Sequence, residues 1–184
     1  AGAWKLPNGQ LYYFAERRTH TTLEMGSEEM HDLGILEVQK VEKKLRVVFD
    51  SLRLPQEKKT SDLLREIAQD SNFYYLDSIT AEEDLIADFQ VMVNGIKHFL
   101  PELYSKYPQN KIVVKKLPTF REEITSLISY QVPKNKNDIA VIYLNLKNIR
   151  RFPKYKLQTM VFHEVLGNYV QYWHESELEH VPTF

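Results

Sequence analysis

The sequence predicts a mainly α fold with a small β-sheet, an α+β arrangement forming a single domain over residues 1–184. Three observations predict it. Long stretches carry apolar residues at three- to five-residue spacing, the period of a half-buried helix. Two short β-branched runs are bounded by turn residues, as strands are. A closing helical stretch follows those runs and is framed by prolines at residues 153 and 182.

The elements follow in order. "PNGQ" (residues 7–10) reads as a turn by composition. "GSEEMHDLGILEVQKVEKKLRVVFDSL" reads as a helix, with Ser27 as its N-cap and Glu28 and Glu29 complementing the positive helix end. Leu33, Leu36, Val41, Leu45, Val48 and Leu52 form its apolar stripe, and Pro55 ends it. A second helix runs from Ser61, as cap, to Gln69. A third begins after Thr80, which stands in capping-box spacing with Glu83, and Pro101 is placed to kink or split it. "KIVVKKL" and "DIAVIYLNL" are the strands. The last helix runs from about Tyr155 to Leu178. The charged stretches "PKNKND" and "KVEKKLR" read as a solvated connection and a wet helix face.

Composition narrows the function classes. A chain with 43% hydrophobic and 27% charged residues reads as soluble and globular, long enough for a real core. A net charge of −1 gives no global pull toward nucleic acid or anionic membrane. No apolar run approaches the roughly 20 residues needed to span a bilayer. The absence of cysteine excludes disulfides, thiol catalysis and cysteine-built zinc sites, so any metal would rest on His, Asp or Glu. The chain begins at Ala1 with no signal peptide in view, which reads as a processed product, an excised piece or part of a longer protein.

The chemistry-bearing stretch is "TMVFHEVLGNYVQYWHE", residues 159–175. A zinc-hydrolase helix places two histidines at i and i+4 on one face. A glutamate after the first points at metal-bound water as general base. His163 and Glu164 supply the first half of that pattern, but Gly167 occupies the second ligand position. His174 shares the face of His163 yet sits roughly 16 Å along the axis, too far to share a metal. A lone His–Glu in a helix is more often structural. Glycine in mid-helix is unfavourable by about 1 kcal/mol relative to alanine, so Gly167–Asn168 points to close packing, a local bulge or a former site. His20, His31, His98 and His180 are scattered and none stands at ligand spacing to another.

Several motifs then agree on one resemblance. Gly2, Trp4, Leu6, Pro7, Gly9, Tyr12 and Tyr13 match a G-x-W-x-L-P-x-G-x-x-Y-Y opening. Arg18, His20, Thr21, Thr22, Glu28, Glu29, His31, Leu33 and Gly34 match a following R-H-H-T-T-T-D-L-T-P-E-E-I-H-x-L-G-L segment. "LPTFREEITSLISYQVP", "VIYLNL" and "FPKYKLQTMVFHEVLGNYVQ" match later motifs in order, and "VPTF" matches a closing L-P-x-F. The chain resembles the mostly bacterial family called domain of unknown function 885, which looks like a zincin-type metallopeptidase family. The resemblance implies a zincin-like catalytic half, in which "DIAVIYLNL" is the candidate edge strand for an extended substrate.

The departures shape the expectation. The family's H-E-x-x-P-G-H-H is here H-E-V-L-G-N-Y, one residue shorter, so the two histidines after the glycine correspond to Asn168 and Tyr169, and the first histidine of the R-H-H run to Thr19. Asparagine and tyrosine are poor zinc ligands beside imidazole. Members of the family also continue past the closing motif, so this chain is expected to lack the remaining part of the site. The resemblance therefore implies a degenerate homologue whose zinc is lost, without hydrolytic activity, acting as a structural or interaction module or a peptide-binding one. The alternative is a zinc peptidase with His163 as metal ligand, Glu164 as general base, and His20 or Tyr130 stabilising the oxyanion. The expected partner is a peptide or protein, within a larger assembly, with no nucleic acid and no membrane span. The family points to the bacterial periplasm or cell envelope, or to the cytoplasm.

Overall fold

A computed structural model of the chain describes residues 2–75, 79–135 and 138–177. His180, Pro182, the closing motif and the end of the last predicted helix lie outside the described residues, as do residues 136–137 of the charged connection. The fold is mainly helical with one three-stranded sheet, as the sequence predicts. It divides into two compact units, residues 1–64 and 65–184.

The first unit holds α1 (Gly9–Thr21), α2 (Ser27–Ser51) and the start of α3 (Thr60–Gln69). The predicted turn at residues 7–10 leads straight into α1. Asn8 takes the left-handed conformation and Gly9 opens the helix. A side chain at Gly9 would fall 2.0 Å from the Ala3 carbonyl oxygen, so glycine is required there. At α2 the cap is Gly26 rather than Ser27. The Glu29 carboxylate accepts from the Gly26 N–H at 3.4 Å, while Ser27 Oγ accepts from Arg17. The α2–α3 connection is tied by Arg46, whose guanidinium donates to the carbonyls of Gln56 (3.0 Å) and Lys58 (2.8 Å). The predicted α2 stripe forms, but Leu33, Leu36, Val41, Val48 and Leu52 remain exposed.

The second unit begins within α3 and contains α4 (Ala81–Leu103), β1 (Ile112–Lys116), β2 (Ile128–Gln131) and β3 (Ala140–Leu144). A helical run closes it: α5 (Lys154–Phe162), a π-helical segment (His163–Val170) and α6 (Gln171–Glu177). Leu85, Phe89, Val93, Ile96 and Leu100 recur at three- and four-residue spacing on α4 and are all buried. They meet Ile112, Val114, Ala140, Ile142 and Leu144 from one face of the sheet, with Leu157, Val161 and Val165 from the closing run. The predicted Thr80–Glu83 capping box does not form: Thr80 Oγ1 donates to Asp84 instead, at 2.8 Å. Pro101 does not split α4. It sits in the last turn, where few amide bonds remain to lose.

The sheet corrects one expectation. Its order is β1-β3-β2, with β3 parallel to β1 and antiparallel to β2. "DIAVIYLNL" is therefore the central strand, not an edge, because a strand unforeseen by hydropathy, β2, pairs with its far side. The outer edge of β1 is partly covered by a side chain from α4. Gln90 Oε1 accepts from the Val114 N–H at 2.8 Å and Gln90 Nε2 donates to the Ile112 carbonyl at 3.2 Å. Among the described residues the more open edge of the sheet belongs to β2.

Candidate functional site

The "HE" residues lie where the closing helix widens. From His163 to Val170 the backbone is π-helical, the local bulge that Gly167–Asn168 foreshadows; such segments recur at functional sites. Close packing does not explain Gly167, since a methyl group there would meet His163 Nδ1 at 3.8 Å, an ordinary contact.

Glu164 is buried, at 4% exposure, and His163 beside it is exposed. Asn168 Nδ2 donates to Glu164 Oε2 at 2.8 Å. Burial raises the Glu164 pKa above the usual carboxylate range, while the Asn168 hydrogen bond and the nearby His163 pull it partly back. Tyr169 turns the other way. Its ring is 1% exposed and its hydroxyl lies 2.9 Å from the Pro108 carbonyl and 2.8 Å from that of Asn110. Lys97 Nζ donates to the same Asn110 carbonyl at 2.5 Å and stands 5.9 Å from the centre of the Tyr169 ring. Tyr169 thus pins the helix to the segment entering β1. Burial raises the Tyr169 pKa and lowers that of Lys97, so the phenol is a donor and not a phenolate.

The structure brings His163, Glu164 and Asn168 together. His20 belongs to the first unit, exposed on the last turn of α1, with Nε2 3.4 Å from Glu16 Oε2. His31 and His98 are exposed on α2 and α4, and His174 packs against Tyr104 and Trp173. Among the described residues no three His, Asp or Glu side chains converge as metal ligands. One exposed imidazole and one buried carboxylate held by an amide do not match the three protein ligands of catalytic zinc.

Tyr130 lies on β2, which packs beside the π-helical segment. The Asn145 N–H donates to the Leu127 carbonyl at 2.9 Å, and the β2–β3 register places these residues opposite each other. Hydrogen-bonded and non-bonded pairs alternate along an antiparallel ladder. Ser129 and Gln131 therefore bond to β3, and the backbone groups of Ile128 and Tyr130 point outward. The Ile128 carbonyl accepts from Ser126 Oγ at 2.7 Å, and among the described residues the N–H and C=O of Tyr130 stand open at the edge. The Tyr130 ring is half-buried and stacks on Tyr172, centroids 5.9 Å apart at an interplanar angle of 9°. Burial pushes its phenol up to about 12. A cavity of about 370 Å³ opens at this end of β2, walled by Pro108, Tyr130, Pro133, Tyr172 and Trp173 and floored by Tyr169.

Hydropathy reading misses β2, the Tyr172–Trp173 wall and the Gln90 clamp. The signal for β2 is present in "LISYQV", where Ile128, Tyr130 and Val132 alternate with Ser129 and Gln131. Nothing in the sequence marks Gln90, whose role depends on where α4 crosses the sheet.

Known proteins agree with this fold. Residues 1–184 match the family described as "Bacterial protein of unknown function (DUF885)", and the chain belongs to that family. A solved structure described as "the putative lipoprotein from Colwellia psychrerythraea" superposes with a TM-score of 0.70 at 20% sequence identity. The match covers 88% of this chain and 28% of that one, so the chain spans just over a quarter of that relative's length. No curated protein matches. No helix among the described residues is long and apolar enough to cross a membrane.

Proposed function

We propose that this chain is a peptide-binding module of peptidase-like descent that does not hydrolyse what it binds. The observation that carries the reading is the open edge of β2 at Tyr130, beside the segment bearing His163 and Glu164. An extended peptide adds to such an edge through main-chain hydrogen bonds. Loss of hydrolysis is supported by Asn168, which stands at a family histidine position and already donates to Glu164. The lipoprotein description of the structural relative favours a cell-envelope location, which fractionation of the native host would test by finding the protein in the cytosol or outside it. A second reading, zinc-dependent hydrolysis through His163 and Glu164, draws on the raised Glu164 pKa, a property of general bases.

Three measurements on one preparation separate the readings: anisotropy with labelled, end-blocked extended peptides, elemental analysis of the protein and of His163→Ala, and mass spectrometry of peptide incubated with added zinc. Saturable binding, intact peptide and no stoichiometric metal are expected. Stoichiometric zinc that disappears in His163→Ala, together with cleaved peptide, would establish the hydrolase. Failure to bind any peptide would sink the module reading.

A further inference from the structure

We infer that the cavity at the end of β2 is a side-chain pocket for a large aromatic residue of the bound peptide. The inference rests on the peptide-binding reading and adds a specificity to it. The open backbone groups and the ring of Tyr130 belong to one residue, so the edge and the cavity are joined. A guest residue directly opposite Tyr130 projects its side chain to the same face of the sheet, with Cβ atoms roughly 5 Å apart. That face leads to Tyr172 and Trp173 on α6.

The wall chemistry selects the occupant. Two prolines and three aromatic rings line the cavity, and the hydroxyl of the fourth ring, Tyr169, is already engaged with the Pro108 and Asn110 carbonyls. The floor is therefore apolar. A cation cage needs aromatic faces turned inward. Here Tyr130 and Tyr172 lie nearly parallel and turn one face each toward the other, and Lys134 and Glu177 both line the cavity, so their opposite charges leave no net pull on a cation. A flat apolar side chain meets exposed ring edges and the indole of Trp173 in the offset and edge-on arrangements that aromatic pairs prefer.

The protein carries its own reporter. It has two tryptophans, and Trp4→Phe on the exposed surface of the first unit leaves Trp173 alone. End-blocked pentapeptides of alanine with a central Phe, Ala or Lys are titrated into this variant, following Trp173 emission, and bound peptide is counted independently by anisotropy. The Phe peptide is expected to shift the emission and to bind about tenfold tighter than the Ala peptide, a difference of about 1.4 kcal/mol. Tyr172→Ala should erase that preference. Ser176→Trp, at an exposed lining position, should erase it by filling the pocket without removing a wall. Equal binding of all three peptides with a silent Trp173 would overturn the pocket and leave edge binding intact. Preference for the Lys peptide would overturn the aromatic assignment. Binding of phenylalanine amide as tight as that of the peptide would overturn strand anchoring. No binding of any peptide would overturn the peptide reading itself.

Discussion

The two units are held together by different means. In residues 1–64 only Gly9, Phe49 and Leu63 are buried among the described residues, and the apolar stripe of α2 faces outward. In residues 65–184 helices and sheet share one continuous apolar core. The 25-residue α2 is long enough for local terms to sustain it. Those terms include the Glu28 and Glu29 charges at its start, the Glu37–Lys40 pair one turn apart and the Arg46 tie to the following loop. The helices of the second unit are held by what they bury. The contrast teaches that apolar periodicity reports a helix equally well in both cases, but not whether the apolar face is covered.

Core truncation gives the widest test of that contrast. Leu144→Ala, at a fully buried position of the central strand, is expected to destabilise by about 2–5 kcal/mol, and Leu36→Ala, 53% exposed, by no more than about 0.5 kcal/mol. Urea unfolding measures both, and equal losses would show that the α2 stripe is buried in solution. A smaller effect probes the pin between helix and sheet. Tyr169→Phe removes one buried hydroxyl from the Pro108 and Asn110 carbonyls and should cost about 1–2 kcal/mol with the fold retained. An unchanged midpoint would mean that the hydroxyl does not anchor the segment.

The smallest effect depends on pH. The folded state holds the Glu164 proton more tightly than the unfolded chain, because burial raises its pKa. Stability from this group is therefore highest at low pH, falls as pH climbs from the ordinary carboxylate value to the raised one, and is level above it. Glu164→Gln keeps an oxygen for Asn168 and removes the charge. The variant should melt slightly higher than the parent at neutral pH, and the gain should vanish in acid. A melting difference independent of pH would assign the effect to packing.

Much of the fold was legible in the sequence. The apolar spacing of α2 and α4, the two β-branched strands and the closing "HE" helix all stand where periodicity and motif place them. What was hidden has physical reasons. The apolar residues Leu11, Tyr12, Tyr13 and Phe14 of α1 are consecutive, so they show no helical period. β2 is four residues long and only half-buried, which keeps its alternation faint. At the candidate site the sequence pairs Asn168 and Tyr169 as neighbours, but the wide turn sends one to Glu164 and the other into the core. Side-chain direction in a π-helical segment cannot be read from a 3.6-residue wheel.

The Gln90 clamp has a consequence for how copies of this protein meet. A sheet with two bare edges can template strand after strand without limit, the geometry of fibres. Among the described residues, Gln90 covers part of one edge of this sheet and the β2 edge is the more open one. Two copies joined through their β2 edges would satisfy each other around a two-fold axis, a pairing that closes on itself. One glutamine on a crossing helix thus weights edge-to-edge association toward pairs rather than fibres.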